Sequence, residues 1–381
     1  MEEMILENQN VTENQNVSEQ QIATESTVET GSSKSNVVKG QRKLFSKVGL
    51  GFAIMSVVMA LFQIIAMNIV AIFLPEIYEK YFNIVGLLPI SIVGFPAFFI
   101  MNKIYKSTPA IEQKYKFGFK QFIPFIFIPF GVMMIGNLIG SGINILIANI
   151  AGKEMVVVTA ELMSGVDLWQ NALMVGILAP ILEEFLFRKL LIDKFSRFGE
   201  GVAILVSALM FGLYHGNIVQ FVYATMLGLV LGYVYSKSRK IGYTIIMHML
   251  VNMSSGVLGT WVLGSVNITE IQETLLAIQQ TGDMNALSEY TMQHIGEIGL
   301  YYGYLSIYGG IVMAGIVLTI VTLVKHIKRG DMLLPGSESL VKGKRFATVV
   351  LNVGAILFIV IWVGMIVYST YTSYFYNPPV V

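Results

Sequence analysis

From Leu44 onward, apolar runs of roughly twenty residues alternate with short polar segments, a pattern that no water-soluble fold accommodates. Nine candidate spans stand out, at about 48–74, 83–102, 122–148, 168–192, 199–215, 217–236, 241–264, 300–324 and 346–371. Most reach the ~20 residues that a helix needs to cross a hydrocarbon core of ~30 Å. The fifth and sixth are the weakest, being short and separated only by Gly216 and Asn217. Composition agrees, because 55% hydrophobic and 13% charged residues leave too little polar surface to keep 381 residues in solution. The expected fold is therefore an all-α, polytopic transmembrane helical bundle of eight or nine spans in a cell membrane, with the lipid bilayer as its solvent.

The first ~40 residues do not share this pattern. They are rich in Glu, Gln, Asn, Ser and Thr, and the stretch Glu7–Val11 recurs as Glu13–Val17. Such a tract cannot bury enough apolar surface to offset its ordering entropy, so residues 1–40 are read as a disordered polar tail and 41–381 as the membrane domain. The tail lacks the basic start and directly following apolar run of a signal peptide. Its sequons at Asn10 and Asn16 are what an Asn/Ser/Thr-rich tract produces by chance. With the tail placed in the cytoplasm, all but two of the 25 Lys and Arg residues, Lys80 and Lys153, fall on the cytoplasmic side. That asymmetry predicts a cytoplasmic N-terminus. A net charge of +1 without a basic stripe gives no reason to expect a nucleic-acid partner, and the absence of cysteine excludes disulfides and thiol nucleophiles.

Two further patterns concern packing. Gly136/Gly140 and Gly228/Gly232 are small-xxx-small pairs that allow helices to approach closely. In the acidic segment Ser265–Gly299, Ile268, Ile271, Leu275 and Ile278 recur at helical spacing and predict a short amphipathic helix.

The spans between residues 168 and 264 are not purely apolar. Glu183 and Glu184 lie in the run Leu178–Lys189, where a carboxylate near the bilayer centre costs on the order of 3 kcal/mol. Glu184 and Arg188 are four residues apart, share a helix face and can pair, whereas Glu183 is rotated ~100° away and needs another partner. Pro180, one turn earlier, frees a backbone carbonyl. Phe211 and His215 end the fifth span, and His248 and Asn252 share a face of the seventh. Three helices thus carry groups that are costly facing lipid, and convergence on one interior, water-accessible pocket removes that cost. A hairpin between the fourth and fifth spans turning near Gly199 would set Glu183 and His215 level, each ~24 Å from the turn at ~1.5 Å per residue. His248 comes level only if that hairpin protrudes or the seventh span starts deeper.

Glu-Glu-x-x-x-Arg (Glu183, Glu184, Arg188), Phe-x-x-x-His (Phe211, His215) and His-x-x-x-Asn (His248, Asn252), in this order on successive apolar segments, resemble the CAAX prenyl protease and bacteriocin-processing (CPBP, or Abi) intramembrane protease family. The resemblance covers residues 168–264. It implies an endopeptidase that hydrolyses a peptide bond in a membrane-associated substrate with a glutamate-activated water. Glu183 would be the general base, His215 would hold or co-activate the water, and His248 and Asn252 would donate to the oxyanion. Glu184, Arg188 and Phe211 would support them, with Glu184 and Arg188 orienting Glu183. No cofactor is implied. Zinc held by Glu183, His215 and His248 is the competing chemistry; it is disfavoured because His-Glu-x-x-His is absent and the amide of Asn252 is a poor zinc ligand. From other classes, a proton-relay transporter is disfavoured by the lack of an internal repeat, and a non-catalytic bacteriocin-immunity protein by the completeness of the motifs.

Overall fold

The computed structural model describes residues 35–105, 117–152, 167–329 and 333–375. Most of the predicted polar tail, residues 1–34, lies outside the described residues, as does Lys153. Every described element is a helix, and the chain is an integral, multi-pass membrane protein.

Among the described residues, seven helices are long and apolar enough to cross a membrane. They are α1 (described over Ser35–Phe73), α3 (Ile84–Ile104 of a helix beginning at Phe82), α4 (Phe119–Ala151), α7 (Ile218–Ser238), α8 (Ile241–Ser265), α11 (Ile295–Arg329) and α13 (Val353–Tyr374). The short helix Pro75–Lys80 is α2. The two remaining predicted spans have a different form. The fourth is α5, residues 168–195, a continuous helical run that alternates α and π winding. The fifth is α6 (Glu200–Leu213), whose 14 residues make ~21 Å of helix, less than a hydrocarbon core. The sixth, which the sequence marks as equally weak, is the full-length α7. The predicted amphipathic helix forms as α9 (Ile268–Thr281), capped by the Asn267 side chain and burying Ile271. It is followed by α10 (Met284–Gln293), which the sequence reading does not anticipate. The short helix Arg345–Val349 is α12.

The chain divides into two compact units. In the smaller one, Ser35–Phe52 packs on Ser339–Phe358. Gln41 Nε2 donates to Ser339 O at 3.0 Å, the rings of Phe52 and Phe358 meet edge to face, and Arg42 bonds Leu351 O. The larger unit, Ala53–Glu338 with Ile359 onward, holds all three sequence motifs.

Within the larger unit, α7 lies between α4 and α6, and the predicted glycine pairs explain the spacing. A Cβ on Gly136 or Gly140 would sit 2.7 Å from Tyr223 Cα or 2.8 Å from Val219 Cα, so α4 meets α7 backbone to backbone. On the opposite side of α7, a Cβ on Gly228 would sit 2.9 Å from Ala208 Cα in α6. The turn between α5 and α6 falls where predicted, at Gly199, whose φ of 102° is open to glycine and strained for other residues. Buried charge holds this end together: Lys237 Nζ lies 2.6 Å from Glu200 Oε2, which also accepts from Leu334 N at 2.8 Å.

Gly136→Ala should lower the thermal unfolding temperature in detergent, consistent with overpacking worth about 1–3 kcal/mol. Gly142→Ala, on the same helix with nothing within 4 Å of its new Cβ, should shift it the other way by about 0.5–1 kcal/mol. Equal effects at the two positions would contradict this close approach of α4 and α7.

Candidate active site

The winding of α5 sets the site. Residues Ala172–Leu178 and Glu184–Ile192 are π-wound, separated by the α-helical turn Ala179–Glu183 that contains Pro180. In the first π stretch the Ala179 N–H bonds Met174 O, five residues back. Val175 O has thereby lost its donor four residues on, and five residues on stands Pro180, which has no N–H. The Asn252 side chain supplies the missing donor: its Nδ2 lies 2.9 Å from Val175 O. Asn252 opens the π stretch Asn252–Gly259 of α8, and that helix receives a matching bond from α5, Asn171 Nδ2 to Gly256 O at 3.1 Å. Two asparagines, each four residues before the other's acceptor, thus clasp α5 to α8. The sequence reading assigned Asn252 to an oxyanion; here one of its two amide hydrogens is committed to the backbone, leaving the second.

Glu183 and Glu184 follow at the junction into the second π stretch. Glu184 is fully buried and makes the predicted pair with Arg188, Oε2 to Nε at 3.2 Å. Its other oxygen is 3.0 Å from His248 Nδ1. The sequence reading had this pair orienting Glu183; the hydrogen bond goes to His248, on another helix. A carboxylate oxygen only accepts, so His248 donates from Nδ1 and turns Nε2 toward Glu183, whose Oε2 is 3.5 Å away. Glu183 retains 14% side-chain exposure against none for Glu184, so the two adjacent carboxylates have separate environments.

Phe211 is the wall on which the other members rest. Its fully buried ring carries the Arg188 guanidinium 4.3 Å above its centroid and meets the rings of His215 and His248 perpendicularly at 4.9 and 5.6 Å. His215 Nδ1 lies 2.8 Å from Phe211 O; because a carbonyl only accepts, that nitrogen carries the proton, and in the neutral ring Nε2 holds a free lone pair. The structure therefore brings together Glu183, Glu184, Arg188, Phe211, His215, His248 and Asn252. Sequence reasoning missed Asn171 and the aromatic neighbours of Phe211: the Phe187 ring packs 5.2 Å from Phe211 and 5.3 Å from Tyr214, whose ring lies 4.8 Å from Trp362. A buried Asn in an apolar run was the available signal for the first.

Asn252→Ala should cost about 1–3 kcal/mol of stability by orphaning Val175 O. In a Pro180→Ala background, which restores an N–H five residues along, the same change should cost measurably less. A double-mutant cycle on thermal unfolding reads the difference, and strict additivity would refute the clasp.

Comparison with known proteins gives a consistent result. Residues 165–254 match the family described as type II CAAX prenyl endopeptidase Rce1-like. Over 81 residues the chain is 31% identical to "Putative membrane peptidase YdiL" of Bacillus subtilis (strain 168). That match covers 20% of this chain and spans 32% of the relative's length. No solved structure matches. The matched segment holds all three motifs and the residues that converge around Phe211, so over that segment the chain is similar to CAAX protease-like membrane proteins.

Proposed function

We propose that this protein is an intramembrane endopeptidase of the CAAX protease-like type, acting on a membrane-associated peptide or protein with Glu183 as general base. The observation that carries this reading is the separation of the two glutamates. Glu184 is buried, ion-paired with Arg188 and bonded to His248, while Glu183 keeps an exposed edge next to His248 Nε2. In this mechanism Glu183 takes a proton from a water that also hydrogen-bonds the Nε2 lone pair of His215. The resulting hydroxide adds to the scissile carbonyl carbon. Its oxygen becomes an oxyanion that accepts from the second amide hydrogen of Asn252, and from Nε2 of His248 when that ring carries both protons. Collapse breaks the C–N bond, and Glu183 returns its proton to the departing amine. Arg188 and Phe211 act through others: Arg188 fixes Glu184, Glu184 aims His248, and Phe211 fixes the planes of both histidines.

A metal-free site is the preferred chemistry. Among the described residues, no group of three His, Asp or Glu side chains is arranged to hold a metal ion.

Glu183→Gln keeps the side chain's shape and removes the base. Cleavage of a membrane-anchored peptide library by the purified protein should fall by several orders of magnitude, with an unchanged thermal unfolding curve. Full activity in that variant would remove Glu183 from the mechanism, and a wild-type protein that released no new peptide termini while moving protons would identify a transporter instead. Exhaustive treatment with a zinc chelator should leave cleavage intact. Loss of activity that zinc alone restores would replace the metal-free mechanism with a zinc one.

A further inference from the structure

Away from the glutamate site, the ends of three helices in the larger unit enclose a cavity of about 490 Å³. Lys120 comes from the first turn of α4, Lys237 from the last turn of α7, and Lys325 and Arg329 from the end of α11. No residue of the three motifs lines it. Lys237 is neutralised by Glu200, and His326 is held by the Tyr233 hydroxyl at 3.2 Å. Lys120, Lys325 and Arg329 are exposed, make no ion pair among the described residues, and face a cavity with no acidic lining residue. The same helix ends fall on the side to which the basic-residue asymmetry assigns the cytoplasm.

A second cavity, of about 310 Å³, shares Phe125, Tyr233, Thr322 and His326 with the first. Its other walls include Ile128, Ile204, Leu229 and Leu323, and they are apolar. Ile128 lies further along α4 than Lys120, Leu229 further back along α7 than Lys237, and Leu323 further back along α11 than Arg329. On all three helices the apolar chamber is thus nearer the middle of the span and the basic one nearer its end. Three uncompensated cations select an anion, and an adjoining apolar slot toward the bilayer interior selects one that carries a hydrocarbon chain. A free phosphate ion would use only the first chamber.

We propose that the paired cavities bind a phospholipid of net negative charge, its headgroup phosphate among Lys120, Lys325 and Arg329 and an acyl chain in the apolar chamber. Tyr233 and His326 stand at the junction, where the glycerol oxygens would lie. Because the cations belong to α4 and α11, the lipid joins two helices that otherwise meet through Gly131 and Gly315.

The test is native mass spectrometry of the full-length protein titrated with phosphatidylglycerol, phosphatidylcholine, glycerol 3-phosphate and inorganic phosphate. Phosphatidylglycerol should bind one site at least about tenfold more tightly than phosphatidylcholine. The triple substitution Lys120→Gln, Lys325→Gln, Arg329→Gln should abolish that preference, with thermal unfolding in phosphatidylcholine unchanged. Thr319→Trp, which fills the apolar chamber and leaves every cation in place, should weaken phosphatidylglycerol binding and spare glycerol 3-phosphate. An undiminished preference for phosphatidylglycerol in the triple variant overturns the headgroup assignment. Unchanged lipid binding in Thr319→Trp overturns the acyl-chain assignment. Inorganic phosphate binding alone as tightly as phosphatidylglycerol makes this a free-phosphate site.

Discussion

Glu184 and Arg188 are both fully buried, and neither charge could remain where it is without the other. A carboxylate and a guanidinium taken out of water each carry a desolvation cost of several kcal/mol, recovered only if opposite charge and hydrogen bonds replace the solvent. Glu184 meets that requirement with Arg188 on one oxygen and His248 on the other. Arg188 adds the face of Phe211. The rest of the centre follows from these obligations. His248 must approach α5, so α8 must lie against it, and with Nδ1 engaged its Nε2 is left pointing at Glu183.

The backbone contributes a second obligation of the same kind. Pro180 and the π winding before it leave Val175 O without a donor inside its own helix, and in an apolar surrounding that carbonyl requires one from elsewhere. Asn252 meets the need, and Asn171 returns the contact to Gly256. Side-chain charge and backbone geometry therefore both draw α8 onto α5, four residues apart along α8, at His248 and at Asn252. Agreement between independent constraints of this kind keeps a reactive geometry fixed without a large polar core.

Much of this was legible in the sequence because a bilayer penalises polar groups so heavily. Glu183, Glu184, Arg188, His215, His248 and Asn252 were conspicuous as exceptions in apolar runs, and convergence was the inexpensive arrangement for them. The glycine pairs of α4 and α7 and the turn at Gly199 were legible for the same reason: each residue type has few other uses at such a position. What could not be read was winding. Nothing in the composition of residues 172–192 distinguishes i→i+5 from i→i+4 bonding, so the orphaned carbonyl of Val175, and with it the clasp, stayed hidden. Spacing of four reveals neighbours on one helix, which found Glu184 with Arg188, and is silent about a partner on another helix, which concealed the bond from Glu184 to His248. Counting spans by apolar length likewise treated α6 and α7 alike, though only the latter is long enough to cross.

The smaller unit carries a consequence for biogenesis. Its two halves, Ser35–Phe52 and Ser339–Phe358, are separated by nearly the whole membrane domain, yet the backbones touch at Gly49 and Gly354, and Gln41 and Arg42 bond directly to carbonyls near residues 339 and 351. During synthesis Gln41 and Arg42 therefore leave the ribosome long before residues 339–358 exist, and they wait in water or headgroups until that segment is made. Completion of this unit requires translation past Phe358: a chain truncated before Ser339 presents Gln41, Arg42 and the small face at Gly49 unclaimed, a signature open to membrane quality control.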